Sequence, residues 1–420
     1  MIIKNILEGS QKTKIRKDIV SIINEGLKSI SPFSVFQEKI FLKGNILIID
    51  QKKFDLSKFK NIYVIGFGKA SSNMAFEIEK ILGTRIKNGL VIDVNFKRLK
   101  KIRVKKGTHP YLSKKNIQGS KEIINMVKQL SKNDLVICLI SGGGSALFEI
   151  PKNSFINTLK INKRLLASGM PIHEINTIRK HISFVKGGNL AQLTKAKIIS
   201  LIFSDVIDDN IEIIASGPTV LDKSTILDTQ KIFKKYKISK IKLYETPKDK
   251  KIFKKVNNFI ILNNKVALES MRNKSKEMGY KPKIISNILS GKARSIGQKL
   301  AKIAQKMKKN EIYLFGGETT VTLKGKGLGG RNTETVLSFL NNLPKKLVFV
   351  SIDSDGIDNT DAAGAICDEK SLERAKKLKL NINTYLNNND SYNFLKKTND
   401  LIFTGPTGSN VADLILMLRK

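Results

Sequence analysis

The chain has no tryptophan, two cysteines and three histidines among its 420 residues. Cys138 and Cys367 each sit in an apolar, strand-like run and form neither a CxxC pair nor a metal-ligand spacing. A disulfide scaffold and a thiolate metal site are therefore excluded, and buried, reduced thiols are expected. So few histidines exclude a His-rich metal centre. No apolar run approaches the roughly 18 residues that would suggest a membrane-spanning helix. The N-terminal stretch MIIKNILEGSQKTKIRK interrupts its short apolar run with charge, so no secretory signal and a cytoplasmic location are expected.

Acidic residues are also scarce, 36 against 76 basic, which leaves a formal net charge of +40. A compact basic patch would indicate a nucleic-acid partner. Here lysine is spread along the whole chain, densest at 97–106 and 231–255, and aromatic residues do not interleave with it as stacking platforms would. Solvated lysine faces are the reading; neither a nucleic-acid nor a membrane partner is expected, and an anionic small-molecule substrate suits the field. Several motifs are missing as well. There is no GxxxxGK[ST] phosphate loop, no HRD or DFG, and no GxSxG nucleophile elbow.

What is present has the composition of a globular protein, 41% hydrophobic and 27% charged, on a chain long enough for two domains. Residues 1–60 read as mostly helical at first, then as short strands around ILIID. From NIYVIGFGKASSNMAFEIEKIL (61–82) onward, strands alternate with helices: GLVIDV, DLVICLI and IISLIFSDV in the first half, then FIILNN, PKIIS, EIYLFGGE, LVFVSIDSDG and DLIFTG. Such alternation predicts α/β architecture with parallel sheet covered on both faces. The lysine-rich stretch near 240 carries no strong period and predicts the boundary between domains at 1–240 and 241–420.

Six polar segments, five of them glycine-bearing, follow predicted strands: GFGK, SGGGS, SDVIDD, GGETT, DSDGIDNTD and GPTGSN. In open parallel sheets ligands gather at the carboxyl ends of strands. Gly142, Gly143 and Gly144 let backbone N–H groups approach an anion, and Ser145 adds a hydroxyl. Gly316 and Gly317, with Glu318, Thr319 and Thr320, predict a second cradle, and the glycine-rich continuation to residue 330 would bring Arg331 onto it. Lys69 is a point charge at a strand end, and Arg331 a planar fork for phosphate or carboxylate. Asp205, Asp353 and Asp355 suit a hard cation such as Mg²⁺ shared with phosphates. This is the inventory of phosphoryl transfer. GFGKAS also imitates GxGxxG, with Gly66 and Gly68 in place and Asp93 near the position of a ribose acid. Ser71 replaces the third glycine, however, and Lys69 is out of character for a dinucleotide turn.

Taken together, VIGFGKA (64–70), THP (108–110), LISGGGSAL (139–147), IHEINTIRKHISFVKGGNLA (172–191), SDVIDDNIEIIASGPTV (204–220), GGETTVTLKGKGLGGRNTE (316–334), DSDGIDNTDAAGAICD (353–368) and TGPTGSNVADL (404–414) resemble the glycerate 2-kinases with a C-terminal MOFRL domain. The resemblance runs in order over nearly the whole chain. It implies an N-terminal Rossmann-like three-layer α/β/α domain, a C-terminal α/β MOFRL domain and an active site in the cleft between them. It also implies ATP and Mg²⁺ as cofactors, D-glycerate as substrate, phosphorylation at the 2-hydroxyl, and a monomer or homodimer.

Carried over residue by residue, Lys69 and Arg331 are the expected catalytic cations. The 142–145 and 316–320 segments are the expected nucleotide cradles, and Asp205 matches the SDV aspartate. Arg179, Lys180 and Asn332 are the candidate substrate contacts. The chain departs from the family at HPYLSKKN, where an acidic residue is usual, and at Thr333, where glutamine is common. An NAD(P)H-dependent hydroxypyruvate reductase and a basic nucleic-acid-binding protein are the competing readings.

Overall fold

A computed structural model describes residues 2–3, 13–206, 208–238 and 241–420. The chain forms two compact units. The first runs Pro32–Ile261; the second joins Leu262–Lys420 to the N-terminal segment ending at Ser31.

The first unit opens with an antiparallel meander, β1 (Ile40–Lys43), β2 (Ile46–Ile49) and β3 (Lys52–Asp55). A six-stranded sheet follows, made of β4 (Asn61–Phe67), β5 (Ile86–Asp93), β6 (Ile102–Lys106), β7 (Asp134–Ile140), β8 (Lys197–Phe203) and β9 (Val256–Leu262), in the order β6-β5-β4-β7-β8-β9. β4 pairs in parallel with both β5 and β7, β5 with β6, and β7 with β8. β7 is buried at every position, as a central parallel strand covered on both faces requires. From β4 the chain builds outward first to β5 and β6, then returns to place β7 on the other side. The strand order therefore reverses at β4 and β7, which end level at Phe67 and Ile140. Ligands of open α/β sheets gather at the carboxyl ends of strands beside such a switch point, and the loops leaving β4 and β7 there are GFGK and SGGGS.

The second unit is α/β, but its sheet is mixed, not the parallel repeat expected. It holds β10 (Lys281–Lys292), β11 (Glu311–Thr320), β12 (Leu347–Asp353), β13 (Gly364–Cys367), β14 (Leu401–Ile402) and β15 (Asp413–Arg419), in the order β10-β11-β15-β12-β13-β14. β10 and β11 are parallel, whereas β15 inserts antiparallel between β11 and β12. Its sequence DLILMLR is a continuous apolar run that periodicity cannot assign to strand or helix.

The units also divide at points other than 240/241. Residues 241–255 pack on the first unit: the Tyr244 N–H donates to His181 O, and Lys248 Nζ to Asp222 O. β9 then extends the first sheet. The helix Lys14–Ser29, capped by Thr13, belongs to the second unit. Gly26 allows close approach to helix Asn264–Glu277, because a Cβ there would lie 2.7 Å from Met271 Cγ. Arg16, buried on the same helix, donates to Asp368, Ser371 and Asp400. A lysine-rich composition marks solvent exposure, not a linker, and so could not locate the break.

Candidate functional site

In the first unit, Gly68 takes φ +130°, and a Cβ there would lie 2.5 Å from Ser141 O. Only glycine lets the two loops lie this close. They are then locked: the Lys69 N–H donates to Gly142 O at 2.8 Å and the Ala70 N–H to Ser141 Oγ at 3.0 Å. A Cβ on Gly142 would lie 2.0 Å from Asp205 Oδ2, and one on Gly143 within 3.2 Å of both His109 Nε2 and Lys69 Cγ. The bare backbone of SGGGS thus brings Lys69, His109 and Asp205 around one loop. Ser145 Oγ shares a hydrogen bond with Ser216 Oγ, which in turn donates to Asn176. The helix behind the loop, Gly144–Leu147, is a single turn and adds little dipole. Gly66, by contrast, is a packing residue within β4, held between Leu139 and Val91.

His109 is pulled down to about 4 by loss of solvent around the ring and by the nearby charges of Lys69 and Arg179. It is therefore neutral at physiological pH, with a cation to each side. Arg179 donates through Nε to Asn162, and burial lowers its pKa while Glu149 opposes the shift. A cavity of about 290 Å³ opens beside Ser145 and Arg179. Lys180 does not join them; it is buried against Asp222 at 3.1 Å, a structural pair with no face left for a substrate.

The helix Ser71–Leu82 starts directly after GFGK, the position where a dinucleotide pyrophosphate would sit. That end is already occupied. Asp93, fully buried, accepts the Ser72 N–H at 2.8 Å and its hydroxyl at 2.7 Å. The candidate ribose acid is thus a helix cap, and the resemblance to GxGxxG is local.

In the second unit, Arg331 begins the helix Arg331–Leu340 and is gripped on three sides. Nε donates to Asp413 at 2.8 Å, Nη2 to Asp353 at 2.7 Å, and Nη1 lies 3.2 Å from Glu318. Burial works against the guanidinium charge, and Asp413, Asp353 and Glu318 more than offset it. Burial pushes Asp353 well up, with Asp355 and Asp413 adding and Arg331 opposing. Burial likewise raises Asp413 to about 6. Glu318 is the exposed member of the set, at 43%.

GGETT is part of strand β11, not a loop cradle. Gly316 and Gly317 pair with Leu414 and Asp413 of β15, and a Cβ on Gly317 would lie 2.0 Å from Leu289 O of β10. The Thr319 N–H donates to Asp413, and the Thr320 hydroxyl points to Gly291 O. The following glycines serve packing too. The loop is strapped to residues 388–392 by the N–H groups of Lys324, Gly325, Gly327 and Leu328. A Cβ on Gly330 would strike Asp358 O at 2.1 Å. Asp358 caps the Arg331 helix by accepting the Asn332 and Thr333 N–H groups.

Asn332, expected to touch substrate, is fully buried. Its amide donates to Asp413 and its oxygen accepts from Ser351, so it braces the arginine's partners. Asp413 itself was not singled out from sequence; its signal is a carboxylate heading an apolar strand within a glycine-rich motif.

No group of three His, Cys, Asp or Glu side chains within reach of one ion occurs among the described residues. Asp353 is committed to Arg331, and Asp355 accepts from the Ile357 N–H and Asn410. Asp205 stands beside the glycine loop of the first unit, while Asp353 and Asp355 belong to the second. Both cysteines are buried free thiols, as expected. No helix is long and apolar enough to cross a membrane among the described residues.

Comparison with known proteins bears on both units. A family model described as a domain of unknown function, DUF4147, matches residues 18–245, and the MOFRL family model matches 311–413. The chain is 36% identical to a protein of Pyrococcus horikoshii named glycerate 2-kinase, covering 96% of this chain and 97% of that one. It is also 36% identical to one of the same name from Picrophilus torridus, covering 97% of each. Among solved structures, the crystal structure of glycerate kinase from Thermotoga maritima superposes with a TM-score of 0.87 at 34% identity, covering 97% of this chain and 99% of that chain.

Proposed function

The chain belongs to the glycerate 2-kinase family, and we propose from that premise that it transfers the γ-phosphoryl group of ATP to the 2-hydroxyl of D-glycerate, giving 2-phospho-D-glycerate and ADP. The observation that carries the reading is the loop pair at the switch point of the first sheet, where the glycine backbone of residues 142–144, Lys69, His109 and Asp205 come together. A polyanion is the ligand such a loop suits.

Phosphoryl transfer asks the protein chiefly to position and to neutralise charge. In the proposed mechanism the glycerate 2-oxygen forms a bond to the γ-phosphorus as the bond to the bridging oxygen breaks, and the hydroxyl proton leaves to solvent or a carboxylate. Lys69 neutralises charge on the nucleotide phosphates beside the 142–145 loop. Arg331, held rigid by Asp353 and Asp413, meets anionic oxygens with its exposed edge, where Glu318 gives way. Mg²⁺ suits this site as a companion of the nucleotide, since that ion keeps several waters and takes one or two carboxylates. Asp205 would contact it, and the ion would supply charge neutralisation there.

A helix end already capped by Asp93 disfavours nicotinamide-dependent reduction. The deciding experiment supplies D-glycerate, ATP and Mg²⁺ in one tube and hydroxypyruvate with NADH in another. A phosphate monoester on the 2-position by phosphorus NMR, without NADH oxidation, is the expected result. Lys69→Met should lower kcat by about a hundredfold or more, the scale for removing one charge that stabilises a transition state. NADH oxidation without a new phosphate ester would overturn the assignment.

A further inference from the structure

The cavity beside Ser145 belongs wholly to the first unit, and its walls differ from those of the loop it adjoins. Its apolar lining is Leu112, Leu159, Ile156 and the ring of Tyr111. Tyr111 is 57% exposed and Ile156 62%, large apolar groups at the rim of a concave surface. Lys160, Lys163 and Arg179 give the lining positive charge, against the single carboxylate of Glu149. Its volume, about 290 Å³, is at the lower edge of small-molecule sites, roughly 300–1,000 Å³. A three-carbon hydroxy acid is polar on every face and has no use for an apolar wall. A purine has two apolar faces and prefers such a slot to water.

Continuity with the phosphate loop fixes which way a ligand would run. Ser145 and Arg179 line the cavity, and Arg179 and Lys69 both act on the His109 ring. A ligand with its base among Tyr111, Leu112 and Leu159 would thus lead its phosphates past Arg179 toward Gly143 and Lys69. Arg179 is held for this by its bond to Asn162 on the helix Phe155–Ala167, which also carries Ile156 and Leu159.

We propose that this cavity is the nucleoside subsite: the adenine and ribose of the phosphoryl donor occupy the slot between the Tyr111 loop and the Phe155–Ala167 helix, with Arg179 contacting the phosphates. The proposal rests on the kinase reading and locates the donor within it. Arg179, expected from sequence to contact glycerate, is reassigned to the nucleotide.

The test is the pair Leu159→Trp, which fills the slot, and Ile156→Glu, which places charge at its mouth without touching the core. Each is checked for folding by circular dichroism. The expected result is an apparent KM for ATP raised about tenfold or more, with KM for glycerate within about twofold of wild type. In parallel, ADP binding followed by calorimetry should weaken to the same degree. A raised KM for glycerate with KM for ATP unchanged would overturn the proposal and assign the slot to the acid. Unchanged constants for both substrates in the folded Ile156→Glu and Leu159→Trp proteins would also overturn it. Should the wild-type protein phosphorylate nothing, the kinase reading fails by itself. ADP binding that is lost in the variants would still support the slot, and absence of ADP binding would sink it.

Discussion

Replacing Asp413 by asparagine keeps the side chain's shape and removes one charge. In the native protein Oδ1 accepts Arg331 Nε and Asn332 Nδ2, both at 2.8 Å, while Oδ2 accepts the Thr319 N–H at 3.2 Å. An amide offers one oxygen, so in either orientation its NH₂ faces at least one of those donors. A buried donor without an acceptor costs about 1–3 kcal/mol. Arg331 keeps Asp353 and Glu318 but loses the charge of the partner on its Nε edge. If about half of that cost appears as misplacement in the transition state, kcat/KM falls by roughly three- to tenfold, and by up to roughly a hundredfold if all of it does.

The assay is initial rate of glycerate phosphorylation between about pH 5 and pH 8, where the limbs report the groups that must be charged. Burial raises Asp413 to about 6, with Asp358 adding and Arg331 and Asn332 opposing. The wild-type rate should therefore fall as the pH drops through about 6, and the variant should lack that limb. The effect on stability has the opposite sign. A folded-state value above the ordinary one means that the folded protein takes up the proton first. This group then adds stability as the pH falls from about 6 toward its ordinary range. Acid loss of rate without matching loss of fold is the signature. Asp413→Asn with the wild-type rate and an intact acid limb would refute the reasoning.

Arg16→Met leaves Asp368 and Asp400 buried without their shared guanidinium, and should lower the urea stability of the second unit by about 3–5 kcal/mol, the cost of breaking a buried ion pair from one side; a loss under about 1 kcal/mol would show that the network contributes little. Gly142→Ala puts a methyl 2.0 Å from Asp205 Oδ2, the mobile end of a side chain. The carboxylate should swing aside, so the melting temperature moves by no more than about 2–4 °C while kcat falls about tenfold or more; unchanged turnover would remove Asp205 from the phosphate site.

Much of the first unit was legible because its signals are local. A strand, a Gly-Phe-Gly-Lys turn and a helix can be read from residues 61–82 alone, and SGGGS has one plausible use after a buried strand. Adjacency was harder to read: that β4 and β7 are neighbours, and that Gly68 exists to let their loops touch, depends on sheet order. The second unit misled for the same reason. GGETT looks like a ligand loop until β10 and β15 are set on either side of it, and the glycines after it are accounted for by the backbone of residues 388–391. Lys180 and Asn332 have the chemistry of ligand residues, yet Asp222 and Asp413 consume it. Composition cannot tell a polar group aimed at a ligand from one aimed at another residue.

The helix Lys14–Ser29 is synthesised well before its partners, because the carboxylates that receive Arg16 follow 352 and 384 residues later. At about 5–20 residues per second, translation separates them by tens of seconds. All of residues 32–261 leave the ribosome in that interval and can fold, while the head of the nascent chain carries an apolar helix face and a cation with no completed partner. This helix is thus made long before the carboxylates that receive it. Its affinity for chaperones, and its vulnerability to proteases, should be greatest while the ribosome is still at work and should end when Asp400 emerges.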